Sequence, residues 1–277
     1  MRVRFWGVRG AFATPGQPFL RYGGNTTAVE LVADDGKRVL VDLGTGVTQL
    51  ARELMGVEFG QGKGKLPILL SHTHLDHIQG LPFFTPFFIK GNEIHIMGSE
   101  PSELSLQQTL QNQLNPHYSP LYGLENLAAG VTIDTIAPGS SLPVDGFEVT
   151  TASLPHGGMY VLGFRIQADG KTVAFLSDVE YAGGEPTPEA LTLAADADLL
   201  IHDAMYSDFE YQTRSGWGHS PVSAAVKVAE RSGSKRLALF HHNPDAVDQE
   251  IDALAEEARS QASMEVFAAR EGPEIKV

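Results

Sequence analysis

Apolar residues come in short runs along this chain, each bounded by turn formers. Met1-Arg2-Val3-Arg4-Phe5-Trp6 carries positive charge with no apolar h-region and no small-residue cleavage site behind it, so it reads as a first strand rather than a signal peptide. Residues 27–33 and 38–42 are apolar runs joined by Asp34-Asp35-Gly36-Lys37, a hairpin turn. Gly44-Thr45-Gly46 opens a helix over Val47–Leu54. Residues 60–65 read as an exposed loop, and 66–70 as a short buried strand ending at Ser71. From 99 to 130 the pattern changes. Ser99-Glu100-Pro101 starts a helical spacing, with Leu104, Leu110 and Leu114 near one face, and Asn115-Pro116 stops it. The aromatic, turn-rich stretch from His117 through Tyr118 and Pro120 to Gly123 suits a lid or an oligomer contact. Strands resume at 131–136, 147–152, 160–168 and 172–177. Gly183-Gly184-Glu185-Pro186 then breaks the chain before a helix and a strand at 199–202. The C-terminal part predicts a helix over Val222–Ser232, with Ser220 as its cap and Pro221 in its first position. A strand follows at Arg236–Phe240. Ile251, Leu254, Ala255 and Ala258 recur at helical spacing within 248–262, as an amphipathic helix requires. No repeat and no linker divides the 277 residues. The pattern predicts a single α/β domain over 1–277, with two mixed β-sheets face to face and helices outside.

Composition narrows the chemistry. Apolar residues make up 42%, enough for a large core. The absence of cysteine excludes disulfides, thiolate metal sites and cysteine nucleophiles, so any metal is held by His and carboxylates. A net charge of −14 speaks against a broad nucleic-acid footprint. No apolar run approaches the roughly 18 residues of a membrane span, and the expected compartment is the cytoplasm.

Of ten histidines, seven lie at strand ends or in the turns after them. Three fall in Ser71-His72-Thr73-His74-Leu75-Asp76-His77, a strand-to-helix turn in which alternate side chains converge. His72 and His74 at spacing two can hold one ion. Asp76 and His77, adjacent at a helix start, can hold a second nearby. The segment His72-x-His74-x-Asp76-His77 resembles the signature of the metallo-β-lactamase fold hydrolases. That resemblance implies a four-layer αββα sandwich with a two-metal site at one edge. It also implies further ligands in a set order, which His156, Asp178 and His241 match. By the family pattern His72, His74 and His156 hold one metal, Asp76, His77 and His241 the other, and Asp178 bridges. His242 is a rival to His241 and is expected at the pocket rim. His95 and His117 match nothing in the pattern.

Two further motifs, Ile201-His202-Asp203 and Gly216-Trp217-Gly218-His219, resemble those of the phosphodiesterase branch, which includes ribonuclease Z. In that branch the pair Asp203 and His219 assists the departing oxygen, and Asp76 belongs to the catalytic set. A carboxylate partner fixes the tautomer of such a His and raises its pKa. Phe5-Trp6-Gly7-Val8-Arg9-Gly10, Arg21-Tyr22-Gly23-Gly24-Asn25-Thr26 and Asp42-Leu43-Gly44-Thr45-Gly46 are similar to one bacterial subgroup. Gly23 and Gly24 would allow close backbone approach to a ligand or simply form a turn.

The expected function is metal-dependent hydrolysis of a small, cyclic phosphodiester. Two divalent ions, Zn2+ by preference with Mn2+ or Fe open, would activate water towards phosphorus. A large folded RNA is disfavoured. Ribonuclease Z carries its RNA-gripping arm between the third His and the bridging Asp, whereas His156 and Asp178 stand only 22 positions apart. A homodimer is a family-level expectation. The alternatives are β-lactamase, lactone or thioester hydrolysis at the same site, and a non-enzymatic metal-binding scaffold.

Overall fold

The computed structural model describes every residue except 101, 102, 118 and 120. Among the described residues there are fourteen strands. They are β1 (Arg2–Gly7), β2 (Ala28–Val32), β3 (Arg38–Val41), β4 (Lys65–Leu70), β5 (Glu93–Gly98), β6 (Gly130–Thr135) and β7 (Ser141–Val144), then β8 (Phe147–His156), β9 (Met159–Ala168), β10 (Lys171–Leu176), β11 (Leu199–Asp203), β12 (Arg236–Phe240), β13 (Glu265–Ala268) and β14 (Glu274–Lys276). The α-helices are α1 (Val47–Leu54), α2 (Leu75–Ile78), α3 (Leu106–Gln113), α4 (Pro188–Ala194), α5 (Asp208–Tyr211), α6 (Val222–Ser232) and α7 (Asp248–Gln261).

The strands form two seven-stranded sheets, in the orders β14-β1-β2-β3-β4-β5-β6 and β13-β12-β11-β10-β9-β8-β7. Each sheet is antiparallel over one half and parallel over the other. In the first, β3 to β6 run parallel. In the second, β10 to β13 do.

Successive side chains leave a strand on opposite faces. A strand covered on both sides therefore reads as an unbroken apolar run and feeds two cores. Leu69 of β4, Ile201 of β11 and Phe240 of β12 join Phe5, Phe164 and Phe175 in the core between the sheets. Leu66, Ile68 and Leu70 of β4 face outwards, under α1 and α3. Leu200 of β11 and Leu237 and Leu239 of β12 face the other way, under α4, α6 and α7. Helix, sheet, sheet and helix layers make up the expected αββα sandwich of two mixed sheets.

Local differences have local causes. The strand expected at 147–152 continues to His156, because β8 and β9 stay paired up to the match of His156 with Met159. Ser220 does not cap α6; its hydroxyl donates to the Val179 carbonyl at 2.6 Å, and Pro221 is the residue ahead of the helix. In the 99–130 stretch the helix begins only after Ser105, whose hydroxyl caps it. Leu106, Leu110 and Leu114 are buried in the outer core, while Leu104 is exposed. The expected turn residues Pro101, Tyr118 and Pro120 lie outside or border the described residues, Pro101, Tyr118 and Pro120 themselves being among those not described.

Register places the chemistry. Because β10, β11 and β12 are parallel, their C-terminal ends lie side by side, with Leu176 opposite His202 and Asp203 opposite Phe240. In the facing sheet β4 ends at Leu70, and the Leu162 N–H donates to the Ser71 carbonyl at 2.9 Å across the gap. The loops that leave these strand ends share one edge of the sandwich, the usual place for a site in an open α/β sheet.

Candidate metal centre

After Leu70 the chain turns through Ser71 to His74 and enters the single turn of α2. This brings His72, His74, Asp76 and His77 to the common edge. Donor atoms of His72, His74 and His156 lie within 4.8 Å of one another, and so do those of Asp76, His77, Asp178 and His241. In the first group His156 Nε2 is 3.3 Å from His74 Nδ1. In the second, His77 Nε2 stands 3.4 Å from Asp76 Oδ2 and 3.2 Å from Asp178 Oδ2. His241 Nε2 stands 3.3 Å from Asp76 Oδ2 and 3.1 Å from Asp178 Oδ1. His72 Nε2 approaches Asp178 Oδ1 at 4.0 Å, so Asp178 faces both groups. All seven residues expected from the sequence as ligands are brought together.

The imidazoles are aimed by partners behind them. His77 Nδ1 donates to Asp42 Oδ2 at 2.8 Å, and His156 Nδ1 donates to the Gly218 carbonyl at 2.7 Å. In both rings this leaves Nε2 directed at the cluster. Asp76 Oδ2 accepts the Ala11 N–H at 2.8 Å. The backbone is bent to serve this arrangement. Ala11, Asp42, Asp178 and His241 all hold positive φ, between 57° and 64°. Asp tolerates that region, whereas for Ala and His it costs about 1–2 kcal/mol. Close approach also needs missing side chains: a Cβ on Gly10 would strike the His241 ring, and one on Gly218 the His156 ring.

Do these residues suit a cation? Nε2 of His72, His77 and His241 is buried without a hydrogen-bond partner. Such orphaned acceptors in a wholly His and Asp donor set are what a divalent ion satisfies. The charge balance agrees. Burial opposes ionisation of Asp76 and Asp178, yet the facing His77 and His241 hold both well below the usual carboxylate range. Burial also opposes a charge on His77, but Asp178, Asp76 and Asp42 outweigh it and push His77 well above its ordinary value. In His72 and His74 burial prevails and lowers both. Protons held on the second group are ones a cation would displace.

Beside the cluster, His219 Nδ1 donates to Asp203 Oδ2 at 2.8 Å. The His219 ring stacks on His241 at 4.9 Å and lies 5.2 Å from His156. Asp203 is buried and also accepts the Met205 and Ser220 N–H groups through Oδ1. Burial alone would lower the His219 pKa; Asp203 overrides it and raises it to about 9.

Three positioning side chains take no role from any motif. Asp42 is buried behind His77. Glu180 accepts the Gly216 and Gly218 N–H groups at 2.6 and 2.7 Å and the Tyr211 hydroxyl at 2.7 Å, which fixes the loop that bears His219. Arg9, fully buried, donates to the carbonyls of Gly23, Asn243 and Ala246 and ties the N-terminal loop to the segment after His241. Arg9 and Asp42 stand in two of the motifs similar to the bacterial subgroup, which gave them no role; for Glu180 a carboxylate after an apolar stretch was the hint. His242 is not at the rim. It is buried, and its Nε2 donates to the Ala269 carbonyl at 2.9 Å. Gly23 and Gly24 serve chain crossings, since a Cβ would strike Glu271 or the Thr14 carbonyl. His95 pairs with Asp134 at 2.7 Å on an exposed face. His117 is exposed.

Comparison with known proteins places this geometry. The family model of the beta-lactamase superfamily domain matches residues 37–242. The chain belongs to the β-lactamase superfamily. Within it, ribonuclease Z of Haloferax volcanii is 26% identical over 327 aligned positions, which span 100% of this chain and 95% of that protein. This superfamily member lies in the ribonuclease Z-like branch and is a metal-dependent hydrolase. Two solved structures share its fold. The metallo-β-lactamase fold protein YhfI from Bacillus subtilis has a TM-score of 0.72 at 21% identity, over 99% of this chain and 98% of that one. Human tRNase Z, short form, has a TM-score of 0.69 at 23% identity, over 100% and 99%.

The relatives correct one expectation. A small-molecule partner, with large RNA disfavoured, does not stand against full-length similarity to proteins named ribonuclease Z. The expectation rested on the short His156–Asp178 spacing, which leaves no place for an RNA-gripping arm, and on net charge; neither outweighs that similarity. A charge of −14 is a sum over the whole surface. A site meets its substrate locally, and bound cations dominate the local field. Among the described residues no helix is long and apolar enough to cross a membrane.

Proposed function

We propose that this chain is a phosphodiester hydrolase acting on RNA, with two divalent ions held by the seven clustered donors. His72, His74 and His156 would hold one ion and Asp76, His77 and His241 the other, with Asp178 shared. Zn2+ suits these donors, and Mn2+ or Fe is compatible with them. Such ions supply Lewis acidity towards a phosphoryl oxygen and an activated water.

The protein's own part is orientation and proton delivery. Asp42 and the Gly218 carbonyl keep the imidazole lone pairs of His77 and His156 facing inwards. The Ala11 N–H fixes one oxygen of Asp76. His219 spends Nδ1 on Asp203, so the proton it can deliver sits on Nε2. Against burial, Asp203 raises the His219 pKa, so His219 can hold that proton and donate it to a departing alkoxide oxygen. Residues 99–130 would shape the mouth, since Gln113 donates to the Ile78 carbonyl just past His77.

The observation that carries the proton-delivery step is the His219–Asp203 pair at 2.8 Å, stacked against the cluster. The pair could also protonate the oxygen or nitrogen expelled from a lactone or β-lactam; the full-length similarity to proteins named ribonuclease Z is what favours phosphorus. The test is His219→Ala, assayed on a fluorescent RNA reporter with metal content measured in parallel. Turnover should fall by about 10²- to 10⁴-fold at unchanged metal content. Parallel loss of metal would make His219 a structural residue and remove the proton-delivery role.

A further inference from the structure

Large apolar side chains usually leave the surface, yet several stay exposed on the segments that carry the cluster. Trp217 is 65% exposed, Tyr160 is 70% and Phe12 is 53%. Trp217 and Phe12 are each one or two residues in the chain from a group that contacts the site, and Tyr160 pairs across the ladder with the residue before His156. Trp217 precedes Gly218, whose carbonyl holds His156, and stands two before His219. Phe12 follows Ala11, whose N–H holds Asp76. Tyr160 lies opposite Pro155 in the β8–β9 ladder, beside the pair His156 and Met159. The β8–β9 turn also lies against the Trp217 loop, since a Cβ on Gly157 would come within 3.7 Å of the Gly216 carbonyl oxygen and the Gly218 Cα. The Trp217 loop is rigidly anchored by Glu180. Exposed rings on anchored loops form a preorganised surface, at low entropic cost to whatever covers it.

We infer that Trp217, Tyr160 and Phe12 form a stacking platform for unpaired nucleobases flanking the phosphate at the cluster. This rests on the reading of the chain as an RNA phosphodiesterase. Three points favour that occupant. The rings sit on the same loops and ladder as Gly218, Ala11 and His156, which hold the cluster. Aromatic faces accept any base and so serve a site without base-edge readout. Stacking also does not need positive protein charge, which answers how a chain of net charge −14 can hold a polyanion. Duplex RNA hides its base faces, so the platform selects for single-stranded nucleotides next to the cleaved bond.

The experiment uses the metal-loaded full chain and two RNA stem-loops that differ only in a short 3′ tail, one bearing bases and the other abasic. The wild type should cleave the base-bearing tail with roughly tenfold or higher kcat/KM than the abasic one. In Trp217→Ala and Tyr160→Ala that ratio should move towards one, while Trp217→Phe keeps most of it. Using the ratio cancels any general loss from a disturbed loop. An unchanged ratio in both alanine variants overturns the platform. If the metal-loaded wild type cleaves neither RNA, the phosphodiesterase reading itself fails, a result visible before any variant is made. If instead the wild type self-associates and Trp217→Ala alone restores the monomer mass, the rings are a protein contact and the proposal is overturned.

Discussion

The two halves of the donor cluster are built from opposite electrostatic choices. His72, His74 and His156 are three imidazoles without a carboxylate of their own, and His74 is exposed. Burial and neighbouring rings keep His72 and His74 neutral, ready to donate lone pairs. Asp76, His77, Asp178 and His241 are all buried and include two carboxylates held ionised by facing imidazoles. In the quartet, protons on imidazole stand in for a cation; in the trio, nothing needs to. The lesson is that one continuous edge can hold two sites of unlike affinity. The quartet should bind first and tightly, because its carboxylates are desolvated and seek positive charge. The trio should bind second, through its approach to Asp178.

Asp178→Ala strikes both halves and should have the largest effect. Turnover on RNA should drop by at least about a thousandfold, and mass-spectrometric metal analysis should find both ions depleted. Retention of two ions per chain would mean that the halves are independent. Asp42→Asn should separate them. It removes the charged partner of His77, while Ser71, whose hydroxyl also reaches His72 Nδ1 at 3.2 Å, keeps an acceptor in the asparagine carbonyl. Chelator competition should therefore show about 10- to 100-fold weaker binding chiefly at the quartet's site. Equal weakening at both sites would abolish the distinction drawn here. Glu180→Gln should have the smallest effect. It puts a donor against the loop N–H groups, leaves the quartet intact, and should lower kcat by about tenfold at constant metal content. A loss of metal from the quartet in that variant would show that the loop supports both halves.

Legibility in the sequence cut across that divide. His72, His74, Asp76 and His77 could be read directly because one strand-to-helix turn presents all four, and local geometry needs little else. His156, Asp178 and His241 were legible through strand order, since each ends an apolar run. Asp203 and His219 were legible as motifs. Glu180 was not, and Arg9 and Asp42 lay in motifs that gave no role, because a single charged residue has no period and its partner lies far along the chain: 35 residues separate Asp42 from His77. His242 shows the same limit in reverse. It adjoins His241 in sequence, but positive φ at His241 turns the two rings apart, one to the cluster and one to the Ala269 carbonyl. The short strands β7, β13 and β14 also left no clear pattern, being edge or near-edge strands with charged or half-buried positions.

Periodicity and residue type were therefore sufficient for the sandwich and its two-sided strands, because these are written in neighbours a few residues apart; the seven candidate donors were legible as a set only through the family resemblance. Which donors share a cation, which carboxylate stands behind which ring, and which aromatic side chains border the mouth depend on strand register and loop packing. Those contacts join segments tens to hundreds of residues apart, and only the folded chain brings them within hydrogen-bonding range.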